Sequence, residues 1–488
     1  MNAWAFCKIF STFNFRNVLM GGVTGLWIAG CAVGPDYATP KLDTPQRWTE
    51  APLAQANALH LRDWWKTFND PTLNWLVERA IQSNLDLKLA EARIREARAN
   101  REMTFTNLLP IISMRSDSIG RHNNSNLGTA SSGGLSGGSL GTSNQTVGIF
   151  QNGFDATWEI DLFGGIRRSV EAAEANVESE EEGRRDVLVT LLGEVARNYI
   201  ELRSNQQLLA VTRVNLKSQE DTLELIRLRN QAGLSSELEV AQTEGLTAET
   251  RSQAPVYETL VRQSIHALSV LLGLAPGKLA YKLAEEGPMP ASPDPALADL
   301  PSELLRRRPD IRKAERKMAQ ATANIGVAIA DFYPKIKLTA FIGLQNSDLT
   351  AFTPMGQSWS VLSSLSMPLL NWGRLEANLR AKGALNEQSF ITYQSTVLKA
   401  FKEVEDALVA HAQENHRIAS LAQAVEAQRL ALALSTERYG KGLTAYLDVL
   451  TAERALFQTQ RELVDSQAKQ SEQLVALYKA LGGGWQIL

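Results

Sequence analysis

Cysteine is nearly absent. Cys7 and Cys31 are the two in 488 residues, too few for a disulfide framework. Histidine is also scarce: His60, His122, His266, His411 and His416. The last two stand five apart, not the four that sets two ligands on one helical face, so they read as surface residues and no metal site is expected. A net charge of −3 offers no basic excess to neutralise phosphates, which argues against a nucleic-acid partner. No phosphate loop of the Walker type and no catalytic constellation is present, so the chain does not read as an enzyme. Beyond residue 31, no apolar run approaches the ~20 residues of a transmembrane helix. If the chain enters a membrane there, it must do so as β-strands of a closed barrel, because lipid tolerates no unpaired backbone.

The N-terminus supplies an address. Lys8 and Arg16 precede an apolar core of roughly twelve residues, Val18 to Ala29, which is too short to span a bilayer and reads as a secretory signal. Ile28-Ala29-Gly30-Cys31 is similar to the bacterial lipobox, whose cysteine is lipidated and becomes the mature N-terminus. Ala32 follows, in place of the aspartate that commonly retains such lipoproteins in the inner membrane. The expectation is removal of residues 1–30, loss of Cys7 with them, and a covalent lipid on Cys31 as the sole attached group, tethering the chain to an outer membrane.

Proline is missing where it would do most damage. None occurs from Ile166 to Ala254, and none follows Pro368. Gly165 to Asn230, if helical, would run roughly 99 Å at 1.5 Å per residue, and Gly373 to Arg438 is its counterpart. Gly183 and Gly193 weaken the first of these helices locally, which leaves a bend there open. The counterparts are part of an internal repeat. An offset of 224 lays Asp86, Ala90, Glu91 and Pro110 on Asp310, Ala314, Glu315 and Pro334. An offset of 209 lays Arg229, Gly233, Leu234 and Glu244 on Arg438, Gly442, Leu443 and Glu453. The difference of about fifteen residues is absorbed by a Gly/Ser/Asn-rich loop, Arg121 to Asn144, against the shorter Asn346 to Gln357. The expected organisation is a lipid-anchored segment 31–70, a first repeat 71–274, a Pro-rich linker 275–301 over the surface, a second repeat 302–482 and a tail 483–488.

Each repeat reads helix, two strands, long helix, turn, helix. Ile336, Leu338, Ala340, Ile342 and Leu344 alternate largely with polar residues, and Trp359, Val361, Leu365 and Met367 share a face of the return strand. Phe150, Phe154, Ala156, Trp158 and Ile160 alternate likewise, whereas Ile111 to Arg121 is less regular. Such lengths suit membrane strands of about 9–11 residues, although an ordinary hairpin on a soluble core shows the same alternation. Four strands cannot close a membrane barrel, since the smallest have about eight. A barrel would therefore be shared between chains.

Gly30-Cys31-Ala32-Val33-Gly34-Pro35-Asp36-Tyr37, Trp64-Trp65, Arg308-Pro309-Asp310-Ile311, Ile325-Gly326-Val327-Ala328 and Phe332-Tyr333-Pro334 together carry a resemblance. The sequence resembles the TolC family of outer-membrane efflux factors, in its lipid-anchored (NodT-type) branch. That resemblance implies a mainly α fold with a membrane β-barrel. A homotrimer would form a twelve-stranded β-barrel continuous with a twelve-helix periplasmic α-barrel, with a mixed equatorial domain. It implies a passive outer-membrane duct of a tripartite pump, completed by a periplasmic adaptor and an inner-membrane transporter of the resistance-nodulation-division type that supplies the energy.

The same resemblance places adaptor docking at the turns Gly233-Leu234-Ser235 and Gly442-Leu443-Thr444, although both also read simply as capped helix–turn–helix tips. Ser236 with Glu239 reads as a capping box that Ala445 and Asp448 do not repeat. The resemblance puts the periplasmic gate at Tyr446, Asp448, Glu453 and Arg454. Acids there also suit a helix N-terminus without any gate. Thr451 stands where the family often has a second aspartate, which leaves Asp448 as the main acid and Arg454 to pair with an acid on a neighbouring helix. Two alternatives remain at this level: a polypeptide secretion duct, and a structural envelope lipoprotein without a pore. The substrate cannot be read from the residues.

Overall fold

The computed structural model describes residues 32–43, 45–49, 61–122, 146–292, 301–346 and 356–487. Cys31 with the signal segment, and most of the Gly/Ser/Asn-rich loop, lie outside the described residues. The repeat is visible in the elements. After α1 (Pro71–Ser83), α2 (Leu85–Thr106) leads to strands β1 (Ile111–His122) and β2 (Thr146–Ile160), long helix α3 (Gly165–Gln231) and α4 (Glu237–Leu271). Two short helices follow, α5 (Ala280–Leu283) and α6 (Pro301–Arg307). The second half then runs α7 (Pro309–Ala330), β3 (Lys335–Asn346), β4 (Gln357–Ser366), α8 (Arg374–Gly440) and α9 (Tyr446–Ala480). The paired helices match in length: 22 residues for α2 and α7, 67 for α3 and α8, 35 for α4 and α9. The fifteen-residue difference falls between the strands, where expected, although Arg121 and His122 still belong to β1.

Helix α3 continues through both suspect glycines. A Cβ on Gly183 would lie 3.2 Å from Lys313 Nζ, and one on Gly193 would lie 3.4 Å from Lys479 Cδ. These glycines make room for crossing lysines. Helix α4 carries Pro255 internally, on its exposed side, where water can serve the carbonyl that loses its donor.

The chain forms two compact units, each drawing on both repeats: residues up to 35, 105–169 and 324–379, and residues 36–104, 170–323 and 380–488. The first holds a four-stranded antiparallel meander, β1-β2-β3-β4. Its register places Ile112, Met114, Phe154, Trp158, Leu338, Ile342, Trp359, Val361 and Leu365 on one face. Arg115, Asp117, Asp155, Glu159, Lys337, Thr339 and a row of serines lie on the other. Most of the apolar face is exposed. On the polar face Arg115 pairs with Asp117 and with Asp155, the latter at 3.4 Å. In the same unit Val33 N–H donates to Phe163 O at 3.1 Å and Arg168 Nε to Val33 O at 3.1 Å. Gly34 (φ 96°) passes so close to Gly326 that a Cβ would stand 2.5 Å from its Cα.

The second unit is helical, with its core around Trp64, Phe68, Leu73, Leu192, Tyr199 and Leu268. Trp64 stacks on Tyr478 at 5.1 Å. The Pro-rich linker is more than a surface run. Leu283 of α5 is fully buried, and Gln206 Nε2 and Arg203 Nη1 of α3 donate to the Leu283 and Glu285 carbonyls at 2.8 and 2.9 Å.

Candidate functional site

Both long helices end in the same backbone device. Leu234 N–H donates to Arg229 O at 2.8 Å and Gly233 N–H to Asn230 O at 2.9 Å. Leu443 and Gly442 repeat the pair to Arg438 and Tyr439, both at 2.9 Å. This is the Schellman arrangement, which needs a left-handed residue, and Gly233 (φ 71°) and Gly442 (φ 72°) supply it at little cost. The turns then present Leu234 and Leu443 to solvent, 70% and 64% exposed, followed one helical turn on by exposed Leu238 and Leu447. Each tip is an apolar pair on a rigid corner.

The capping box forms by half. Ser236 accepts from Glu239 N–H at 3.3 Å, as expected. The Glu239 carboxylate does not reach back to the Ser236 backbone; it accepts from Ser235 Oγ at 2.6 Å and from Tyr439 Oη at 3.0 Å. The second turn copies the hydroxyl contact, with Thr444 Oγ1 donating to the Asp448 carboxylate. Tyr439 thus ties the end of α8 to the start of α4. The Arg229 guanidinium covers its ring at 4.9 Å, and Tyr446 packs against it at 5.2 Å. Sequence reasoning missed Glu239 and Tyr439 as members of this cluster, although the 209 offset already matched Glu239 to Asp448.

The four residues expected at the gate are in different surroundings. Tyr446 is buried with Ile226, Leu246, Val449 and Leu450. Burial, with Thr243 opposing and Glu453 reinforcing, pushes its hydroxyl up to about 12. Asp448 and Arg454 are exposed, and Arg454 makes no ion pair among the described residues. Thr451 bonds back to Leu447 O at 2.8 Å. Glu453 is half-buried. Its repeat-mate Glu244 pairs with Arg227 at 2.5 Å, but Thr436 stands where that arginine would recur. Burial therefore raises the Glu453 pKa.

A raised carboxyl pKa means the folded chain holds its proton longer than the unfolded one. Stability then falls as pH rises from the ordinary carboxylate value through the raised one. Glu453→Gln is expected to raise the melting temperature at pH 7 and to change nothing at pH 3, in thermal unfolding followed across that range. A destabilised Gln variant at pH 7 would mean that the carboxylate is held by a favourable partner.

One surface assignment is corrected. His411 is buried within α8, its Nδ1 3.4 Å from Asn415 Nδ2, whereas His266 and His416 are exposed. Among the described residues no cluster of His, Cys, Asp and Glu is arranged to hold a metal, and no helix is long and apolar enough to cross a membrane.

The model of the outer membrane efflux protein family matches residues 76–274 and 300–483. The chain is 34% identical over 473 residues to the solvent efflux pump outer membrane protein SrpC of Pseudomonas putida, covering 95% of this chain and 97% of that protein. It is 33% identical over 468 residues to nodulation protein T of Rhizobium leguminosarum bv. viciae, covering 96% and 93%. The solved structure of the outer-membrane channel OprN superposes with a TM-score of 0.85 at 31% identity, covering 93% of this chain and all of that one.

Proposed function

The chain belongs to the outer membrane efflux protein family and is an outer-membrane efflux component, and from that premise we propose that three copies form its conducting duct. The observation that carries this is the sheet: four strands, amphipathic, with β1 and β4 as free edges. A sheet with open edges cannot stand in lipid, and four strands are half of the smallest membrane barrel. Three copies supply twelve strands and a polar interior.

The lipid on Cys31 anchors each copy, and the pinned segment from Val33 holds the anchor close to the strands. The tips at Gly233-Leu234-Ser235 and Gly442-Leu443-Thr444 receive a periplasmic adaptor, their exposed leucines being the apolar contacts. An inner-membrane pump of the resistance-nodulation-division type drives small molecules through. Asp448 and Arg454, exposed beside the second tip, line the closure. Tyr446 and Glu453 support it from within.

The test is the oligomer mass of the purified lipidated protein in detergent, together with its single-channel conductance in a planar bilayer. A trimer with small, cation-sensitive openings is expected. Asp448→Ala should enlarge the openings or weaken their cation dependence. A monomer without conductance would return the chain to a lipid-anchored spacer.

A further inference from the structure

The two repeats build the same helical groove twice, and the chain covers it once. Residues 36–43 and 45–49 form neither helix nor strand and lie along the groove between α7 and α8. Tyr37 Oη and Thr39 Oγ1 both donate to Glu315 Oε1, at 3.0 and 3.2 Å, as alternate side chains of an extended segment can. The Arg316 guanidinium covers the Tyr37 ring at 5.5 Å. Leu42 packs against the cluster of Ile311, Tyr393 and Val397. Trp48 meets Phe401 edge-on at 6.1 Å, and Thr49 N–H donates to Glu405 at 2.8 Å. This strap is held by both walls.

The repeat offsets carry that groove onto the one between α2 and α3. Glu315 falls on Glu91 and Tyr393 on Arg184, and Arg184 Nη2 donates to Glu91 Oε1 at 3.0 Å. Further along, Val397 and Phe401 fall on Leu188 and Leu192, which are fully buried in the core of the second unit. That end is closed. The other end is an open groove of about 340 Å³, lined by Glu91, Arg95, Arg98, Glu181, Arg184 and Arg185, with Ile94 as its apolar member. Its lining comes from α2 and α3 alone, and among the described residues no strap lies in it.

The twin grooves differ in charge. Ala319, Thr322, Tyr393 and Gln394 of the second repeat stand where the first has Arg95, Arg98, Arg184 and Arg185. Two carboxylates of the groove answer these four guanidinium groups: Arg98 pairs with Glu181 at 2.7 Å, and Arg184 with Glu91. Arg185 turns to Glu182 and lies over the Trp485 ring at 5.0 Å. Arg95 is exposed and makes no ion pair among the described residues. Arg184 Nε is buried without a hydrogen-bond partner. A buried donor on a charged group is costly to leave unpaired, so the groove calls for an acceptor.

We infer that this groove takes a short acidic segment of a second protein, laid in extended form as the strap lies in its twin. From Glu91 to Arg98 the helix rises about 10 Å, the reach of about three extended residues. Carboxylates on alternate residues of such a segment face the same way, one towards Arg95 and one towards Arg184 Nε. A lone inorganic anion would meet only one of these. The chain's own strap already lies in the other groove, so the acceptor comes from outside. Both walls belong to one chain, so the groove exists whatever the number of copies.

The probe is a fluorescein-labelled peptide of residues 35–43 carrying Lys41→Glu, which sets a second carboxylate two residues before Asp43. It is titrated by fluorescence polarisation against the purified full-length protein in detergent, with the oligomer mass measured on the same sample. Saturable binding is expected, weakened when salt rises from about 50 to about 500 mM. Arg95→Glu should weaken it about tenfold or more, and Arg95→Gln by less. Both variants should keep the mass and melting temperature of the parent, because Arg95 has no ion pair to lose. A control peptide that keeps Lys41 and carries Asp36→Lys and Asp43→Lys should not saturate.

No saturable binding of the acidic peptide, or equal binding of the basic one, would overturn the inference. Binding that Arg95→Glu leaves unchanged would seat the peptide elsewhere, the strap's own groove included, and would overturn it too. Displacement by millimolar inorganic phosphate, where chloride at equal ionic strength displaces nothing, would give the groove to a free anion in place of a segment. A monomer by mass that still binds the acidic peptide through Arg95 would sink the shared duct and leave the groove standing.

Discussion

Ile342→Arg is expected to remove the protein from the outer membrane as an assembled species, while Thr339→Arg, three residues earlier on the same strand, is expected to be tolerated. Ile342 is 66% exposed on the apolar face and flanked by Phe154 and Trp359 on the neighbouring strands. A charge there must be buried in hydrocarbon, at about 2–4 kcal/mol near the bilayer midplane. Thr339 lies on the opposite face between Thr157 and Leu362, in the row that carries Lys337 and Glu159. An arginine there meets water. The measurement is the amount of heat-resistant oligomer recovered from outer-membrane fractions, with total protein as the reference. Equal recovery of both variants would show that the apolar face does not meet lipid.

That contrast is legible in part in the sequence alone. The alternation in β3 is regular because its apolar positions are unbroken from Ile336 to Leu344. Strand β1 reads less clearly because Ser116 and Ser118 interrupt its apolar face. Ser116 is accommodated there by a hydrogen bond to Asn152 on the adjacent strand. A polar pair brought together by register cannot be seen in one segment. Phe341 is the converse case, an aromatic residue on the polar face. It is buried because its ring lies over Gly153 and Gly343, where a Cβ would approach within 2.7 Å of it. The glycines were visible in the sequence, but their use was not.

Long-range partners account for the other differences. The Ser236–Glu239 spacing reads as a capping box because local rules know only local partners. Tyr439, 200 residues away, decides where the Glu239 carboxylate goes. His411 reads as a surface residue because an isolated histidine in a polar helix usually is one, and it is buried here. The two long helices were legible to within two residues at their ends. Proline and glycine act along the chain itself, and the repeat is read by laying one segment on another, so neither needs a partner that only the fold brings near.

The largest loss of stability is expected at a post that the two repeats fill differently. Arg308, buried just before α7, donates through Nε and Nη2 to the two Asp310 oxygens at 3.0 and 2.7 Å. Its Nη1 donates to Glu403 of α8 at 2.7 Å and to Ala480 O, at the end of α9, at 3.0 Å. Burial works against its charge, but Asp310 and Glu403 more than restore it, so its pKa is raised. One side chain thus ties three helices together. In the first repeat Asn84 holds the equivalent place. Its Nδ2 donates to Leu271 O at 2.8 Å, the counterpart of Ala480 O, and its Oδ1 accepts from Leu87 N–H at 2.9 Å. The geometry recurs without the charge.

Arg308→Met should cost about 3 kcal/mol, the lower part of the range for removing one partner of a buried ion pair, because Glu403 remains half in water. Asn84→Ala removes neutral hydrogen bonds and should cost about 1–2 kcal/mol. Arg308→Lys should recover only part of the loss, since an ammonium lacks the planar fork that serves both Asp310 oxygens. Denaturant unfolding of the three variants in detergent ranks them. If Asn84→Ala proved as damaging as Arg308→Met, the post would depend on shape and backbone contacts alone. If the expected order held, charge would be what makes the second repeat's corner the stronger of the two.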